Sequence, residues 1–259
     1  MAPTSENLPG RSTTPARAMR AVEILHAAIT LAGMETIELP DTVPVMTLPN
    51  TVFFPQSLLP LHIFEPRYRT MLRDVLATNR LFAVAHLDAS REDDPDAIEP
   101  LHRVASVGIV RACQEAEDGT SNLLLQGVSR VEIREIVHEE PYRVIAVRPL
   151  ATVRGGNHTQ LEIMRLEVLR LLQLRRRLGA PGPKGMTQFL ETIEDFDTFA
   201  DVAVFNLCDD ATLKQRLLEE LDTRQRLKLF AAQLKLDIEQ QRLRRKLQGQ
   251  LPDDGVANN

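Results

Sequence analysis

The sequence predicts an α+β protein in which a β-barrel is followed by a bundle of α-helices. Between Pro40 and Leu150, short apolar runs alternate with proline, glycine and aspartate turn signals, a pattern typical of strands. After the pair Gly155-Gly156, apolar residues recur at three- and four-residue spacing, which is typical of amphipathic helices. Several short strands with one small helix among them favour a closed or nearly closed barrel over a parallel sheet.

Composition restricts the core and the classes of partner. The chain has 259 residues, of which 43% are hydrophobic but only 4% aromatic, so we expect a core of Leu, Val, Ile and Ala. With 31 basic and 36 acidic residues the net charge is −5, which argues against a general binder of nucleic acids.

Cysteine usage and hydropathy restrict the compartment. Cys113 and Cys208 form neither a disulfide framework nor a zinc-ligand motif, so a reducing, cytoplasmic environment is expected. No apolar run approaches the roughly 20 residues of a membrane span. Glu23 and His26 interrupt the apolar stretch near the N-terminus, which argues against a secretory leader.

The chain divides into four predicted segments. Residues 1–39 comprise a tail and an amphipathic helix over 16–32, residues 40–153 the barrel, residues 157–250 a helical subdomain, and residues 251–259 a disordered tail. The apolar face of the N-terminal helix needs a surface to pack on. That surface is either the barrel of the same chain or a partner, for which a homodimer is one candidate.

Within the barrel segment, turn signals separate the predicted strands and one helix. Pro66 begins a short helix over 66–77, because proline is accepted in the first helical turn. The pair Asp118-Gly119 predicts a hairpin turn, and the acidic stretch 88–100 an exposed loop. Strands are predicted over 43–48, 58–63, 81–87, 104–114, 122–128, 129–137 and 142–147.

The helical segment is predicted to contain four helices. They cover 160–178, 199–207, 211–221 and a long stretch ending near Gln248, with capping candidates Thr198, Asp210 and either Asp222 or Thr223. The long helix carries two apolar stripes, so we expect it to pack on more than one neighbour. The first stripe is Leu227, Phe230, Leu234 and Ile238; the second is Leu229, Leu236, Leu243 and Leu247.

One stretch carries a resemblance to a known family. Residues 45–68 read VMTLPNTVFFPQSLLPLHIFEPRY, with Pro49, Phe54-Pro55, Pro60-Leu61 and the heptapeptide from His62 to Tyr68 as the matching elements. This stretch resembles the start of the substrate-binding N-terminal domain of the ATP-dependent protease Lon. Further matches follow in order: Val107-Gly108, 125–130 (a glycine–arginine hairpin in the family), 140–142, 147–150 and the helical half to about residue 248.

The resemblance implies a PUA-like β-barrel followed by a helical bundle, and a binding rather than a catalytic role. It is greatest to free-standing bacterial proteins that consist of this domain alone. The chain holds no G-x-x-x-x-G-K-[ST] phosphate loop, and a Lon-type peptidase domain would have to follow an ATPase domain. The expectation is therefore a non-enzymatic polypeptide-binding protein without cofactor or metal. It would act as an adaptor, with a separate ATPase or protease as candidate partner, or compete for Lon clients.

The heptapeptide HIFEPRY has two interpretations. In the structural one, Ile63 and Phe64 end a strand in the core, and Glu65 precedes the helix, where its charge suits the positive N-terminus and can pair with Arg69. In the functional one, a groove for an extended peptide is lined by this segment. The candidate peptide-binding residues are His62, Phe64, Glu65, Arg67 and Tyr68.

Other candidate chemistry has weaker support. His86 with Asp88 and the acidic loop imitates a metal site, but a solvated loop is favoured. Cys113 is interpreted as a structural thiol, although folding could bring His102 beside it and create a hydrolase site. Gly127 is expected at a bend or bulge and Arg130 in an ion pair. The basic residues 242–246 suggest a solvated helix end; the alternative is an RNA-binding PUA-like protein.

Overall fold

The structure, a computed structural model, describes residues 37–91 and 99–248. The predicted N-terminal helix over 16–32 and both predicted tails lie outside the described residues, as does most of the acidic loop. The strands are β1 (Thr42–Leu48), β2 (Leu58–Ile63), β3 (Leu81–His86), β4 (Val104–Glu115), β5 (Ser121–His138) and β6 (Val144–Pro149). The α-helices are α1 (Pro66–Ala77), α2 (His158–Arg177), α3 (Met186–Glu191), α4 (Phe196–Leu207), α5 (Ala211–Glu219) and α6 (Thr223–Gln248).

The six strands form one sheet in the order β2-β5-β4-β3-β1-β6. The pair β1–β3 is parallel, and the other pairs are antiparallel. β6 also pairs with the second half of β5, so the sheet curls back on itself. The α+β class is confirmed; of the closed or nearly closed barrel that the sequence favours, the fully closed form is not found. The strands β5, β4, β3, β1 and β6 pair in a ring. β2 lies outside this ring: it pairs with the first half of β5 and is an edge strand.

β5 is a single long strand. The prediction of two strands over 122–128 and 129–137, and of a hairpin at 125–130, is wrong. At this point Gly108 pairs with Gly127 and Val107 with Ser129, which leaves Val128 as the extra residue of a β-bulge. A Cβ on Gly127 would clash with the carbonyl group of Phe54. The predicted role of Gly127 at a bulge is therefore confirmed, because the strand bends here instead of ending.

The sheet has a different core on each face. The interior of the curled sheet is filled by small and β-branched side chains, including Ala83, Ala85 and Val107. On the other face, α1 packs Met71 and other apolar side chains against Phe53 and Phe82. The five strands of the curled sheet enclose a narrow space, which explains the alanines inside and the larger side chains under α1.

The helical part follows the predicted pattern with two differences. α4 begins at Phe196 rather than at residue 199, because Asp195 is the N-cap and its carboxylate accepts a hydrogen bond of 2.8 Å from the Thr198 amide. The short helix α3 was not predicted. The caps Asp210 of α5 and Asp222 of α6 are confirmed by hydrogen bonds of 3.0 Å to the amides of Leu213 and Gln225.

The two apolar stripes of α6 have different surroundings. The first stripe is buried in the bundle, as predicted. On the second stripe, Leu236, Leu243 and Leu247 are each more than half exposed. The expectation that this stripe packs on a second neighbour is wrong for the part of the chain that the structure describes.

A buried ion cluster joins the sheet to the helices. Arg130 on β5 and Arg226 on α6 both bond the carboxylate of Asp201 on α4, at 2.8 Å for Arg130 Nη1 and 2.9 Å for Arg226 Nη1. All three side chains are at most 2% exposed, and Arg226 also contacts Asp197 at 2.6 Å. Burial raises the pKa of Asp201, and the two guanidinium groups oppose that rise. The predicted ion pair of Arg130 is thus confirmed.

The substitution Asp201→Asn tests this cluster. We expect it to lower the free energy of unfolding by about 3–5 kcal/mol, because it leaves the buried guanidinium of Arg130 without a counter-charge. Urea denaturation measures the loss. The control Arg170→Gln, which breaks an exposed ion pair with Glu167, should cost less than about 1 kcal/mol. Equal losses for the two variants would contradict the role of the cluster.

Candidate functional site

The exposed edge of β2 is the feature around which a candidate site can be built. Among the described residues, β2 pairs only with β5, so its other side presents unpaired backbone groups. Pro60 lies exposed in the middle of the strand. Proline is tolerated on an edge strand because no partner there requires its missing N–H.

His62 and Phe64 form an exposed aromatic pair at the end of this strand. Phe64 is 61% exposed, and its ring lies 6.1 Å from that of His62 at an angle of 26°. His62 is held from the other side by Asn122 on β5, whose side-chain oxygen lies 3.0 Å from His62 Nδ1. The rings of His62 and Phe64 thus form an apolar surface at the end of the polar edge of β2.

Glu65 and Arg67 belong to an ion-paired junction between β2 and α1. Arg67 Nε lies 3.0 Å from Glu65, and its two terminal nitrogens contact Glu99 at 3.1 and 2.9 Å. The hydrogen bond to Glu99 raises the pKa of Arg67 above its usual value. The predicted pairing of Glu65 with Arg69 is corrected: the carboxylate of Glu65 bonds Arg67 instead.

Tyr68 is a core residue rather than a surface one. Its side chain is 6% exposed, and its hydroxyl accepts a hydrogen bond of 3.1 Å from the backbone amide of Thr47. Burial raises the pKa of this phenol. The guanidinium of Arg67 lies 4.5 Å from the centre of the ring. Of the five candidate residues, His62 and Phe64 are exposed together, Glu65 and Arg67 are ion-paired at the strand–helix junction with side chains 40% exposed, and Tyr68 is buried.

A cavity adjoins the end of β2, and sequence reasoning did not identify it. It has a volume of about 280 Å³ and lies between α1 and the β4–β5 hairpin. Its lining includes Leu72, Leu76, Arg69 and Arg73, and Ser121, which pairs with Ile63. In the sequence, this cavity could have been suspected from Arg69 and Arg73, which lie four residues apart on one face of α1. A second cavity of about 390 Å³ lies beside the β5 bulge.

The candidate catalytic groups are not assembled into a site. Cys113 lines the cavity beside α1, whereas His102 stacks on His86 with ring centres 5.0 Å apart. The hydrolase arrangement of Cys113 with His102 is therefore wrong. Cys208 is buried, and burial raises the pKa of its thiol. In residues 37–91 and 99–248, no three potential metal ligands come together.

The stacked histidines lie near two carboxylates. His102 is 3.9 Å from Asp88 and 3.7 Å from Glu219. His86 Nε2 lies 3.1 Å from the carbonyl oxygen of Pro49, while its Nδ1 is buried. Burial and the neighbouring His102 lower the pKa of His86. The pair links β3 to α5.

No helix among the described residues combines the length and the apolar character needed to cross a membrane.

The fold and the sequence both match Lon proteins. A solved structure described as the N-terminal domain of Mycobacterium avium complex Lon protease superposes with a TM-score of 0.57, at 16% identity. The alignment covers 75% of this chain and 98% of that one. Relatives include the Lon proteases of Desulfosudis oleivorans, 27% identical over 223 residues, and Dictyoglomus thermophilum, 26% identical over 220 residues.

The family model for the ATP-dependent protease La (LON) substrate-binding domain matches residues 42–235. The chain therefore belongs to this family, as the motifs from Val45 onwards predict. The alignments cover 86% and 85% of this chain but only 27% of each of the two Lon proteases. The match thus concerns about a quarter of the length of those relatives.

The lowered pKa of His86 predicts a pH dependence of stability. Between that pKa and the ordinary value near 6.5 the unfolded chain binds more protons, so the free energy of unfolding falls as the pH decreases through this window. In urea denaturation, the free energy of unfolding should decrease less between pH 7.5 and pH 5.5 for His86→Phe than for the wild type. His138→Phe, at an exposed position, should leave the fall unchanged. If the free energy of unfolding fell as much in His86→Phe as in the wild type, His86 would not be the cause of the pH dependence.

Proposed function

We propose that this protein binds polypeptides in an extended conformation by adding them as a strand to β2. The observation that carries the proposal is the unpaired edge of β2 beside the exposed Phe64. An extended peptide can donate and accept main-chain hydrogen bonds along such an edge, while side-chain contacts supply preference. Membership of the substrate-binding domain family supports polypeptide as the class of ligand.

Phe64 and His62 supply the side-chain contacts in this proposal. Their near-parallel stacking orients an apolar surface at the end of the edge, where a bound strand would leave β2. Aromatic rings contribute much of the binding energy in protein interfaces because they bury a large area with few rotatable bonds. With a single aromatic pair at this edge, a dissociation constant on the order of micromolar is expected.

Glu65, Arg67 and Tyr68 act indirectly in this proposal. The bonds from Arg67 to Glu99 and from the Thr47 amide to Tyr68 fix the direction in which the chain leaves β2. We therefore assign them to positioning the site rather than to contacting the peptide.

The function is proposed to be recognition without catalysis. Within the described residues, Cys113 and the stacked histidines lie in different parts of the fold, and the family match concerns the substrate-binding domain. The protein would deliver bound polypeptides to a separate ATPase or protease, or compete with Lon for them. RNA binding has no specific support, because the basic end of α6 carries exposed leucines rather than aromatic side chains.

Binding to a chemically unfolded polypeptide tests the proposal. A reduced and carboxymethylated protein with a fluorescent label should give saturable anisotropy at micromolar concentrations of this chain. Phe64→Ser should weaken the binding about tenfold, since it removes the exposed ring and leaves the core intact. The control Ile163→Ser removes an equally exposed apolar side chain on α2 and should have no effect.

The mode of binding has its own control. A short peptide derived from the labelled polypeptide should compete, whereas the same peptide with N-methylated backbone amides should not, because it lacks donors for a β-ladder. Binding without saturation, equal effects of the two serine variants, or equal competition by both peptides would each contradict the proposal.

A further inference from the structure

The exposed second stripe of α6 is independent of the site on β2. Leu236, Leu243 and Leu247 are 53%, 59% and 56% exposed, and Leu229 is partly buried. Leu229, Leu236 and Leu243 are separated by seven residues each, so they lie on one line along the helix. From Leu229 to Leu247 this line extends for about 27 Å.

The stripe faces away from the bundle. The opposite face of α6, with Leu227, Leu234 and Ile238, is buried against the other helices. The neighbouring helix α2 lies along one flank, where Lys235 contacts Glu167 at 3.1 Å. Leu229, Leu236 and Leu243 thus occupy one of the two alternating positions of a coiled-coil seam, and Ala232, Glu239 and Lys246 fall at the other. The described residues supply no partner helix for this seam.

The charges beside the stripe favour an acidic partner. Lys228 and Arg242 are exposed on one flank, with Lys235 between them paired to Glu167 of α2. Gln233 and Gln240 occupy the other flank, where Gln233 donates a hydrogen bond to Asp237. The exposed end of the helix adds further positive charge at 244–246. In coiled coils the residues that flank the seam select the partner by charge.

A second copy of this helix is a poor complement. In an antiparallel pair, the flank with Lys228 and Arg242 would face its own copy, with like charges opposed. In a parallel pair in register, Glu239 and Lys246, which lie on the seam between the leucines, would each face their counterpart. Both arrangements bring like charges together, which is unfavourable.

We propose that the second stripe of α6 docks an amphipathic helix of another polypeptide, with an apolar seam flanked by glutamate or aspartate. The leucines would pack into the seam of the partner, and the basic flank would pair with its carboxylates. This site lies on a different element from the edge of β2, so a bound helix and a bound extended peptide are separate events.

Two designed helical peptides test the proposal. Each has three heptads with leucine at the seam positions; one carries glutamate at both flanking positions and the other lysine. With labelled peptide and the full chain, the glutamate peptide should give saturable anisotropy, and the lysine peptide should bind at least tenfold more weakly. The double variant Leu236→Ser/Leu243→Ser should bind the glutamate peptide at least tenfold more weakly. The control Leu166→Ser, at an exposed leucine on α2, should bind it as the wild type does.

Charge reversal makes the test specific. Lys228→Glu/Arg242→Glu should shift the preference towards the lysine peptide; these positions are exposed, and circular dichroism confirms that the fold is retained. Four outcomes would overturn the proposal: no saturable binding of the glutamate peptide, equal binding of both peptides, a wild-type dimer in sedimentation velocity that Leu243→Ser dissociates, or vesicles of anionic lipid competing through the same leucines.

Discussion

The relation between the two halves of the molecule depends on one buried carboxylate. Asp201 is surrounded by the core, and its charge is compensated by one arginine from the sheet and one from the last helix. An ion in such a place is tolerated only when its partners are fixed in position. Arg130 and Arg226 both reach Asp201 only while β5, α4 and α6 keep their relative positions, so the cluster connects these three elements.

The length of β5 determines the shape of the sheet. Its first half pairs with β2 and its second half with β6, while the bulge at Val128 changes its direction between the two. Arg130 lies two residues after Val128, next to the bend that separates the two pairings, and its guanidinium bonds Asp201. Gly127, immediately before Val128, must be a glycine because the carbonyl group of Phe54 approaches the backbone of β5 there.

Local patterns predicted most elements, and long-range contacts explain the exceptions. The helix from Pro66 to Ala77 was correct because its start signal and its period are both local. The continuity of β5 through Gly127 and Ser129 could not be predicted, because turn-forming residues serve equally in a bulge. For the candidate site, the structural interpretation of the heptapeptide placed both Ile63 and Phe64 in the core; Ile63 is buried, but Phe64 is 61% exposed. The burial of Tyr68 depends on Thr47, twenty-one residues earlier, which no local pattern reveals.

Pro60 limits what the exposed edge of β2 can do. An uninterrupted edge strand pairs readily with the edges of other molecules, which is a common route to aggregation. A proline in the centre of a six-residue strand removes one backbone donor and leaves only short stretches on either side of it. Copies of this protein are thereby discouraged from stacking edge to edge into fibrils. A short, flexible segment can still use the donors that remain.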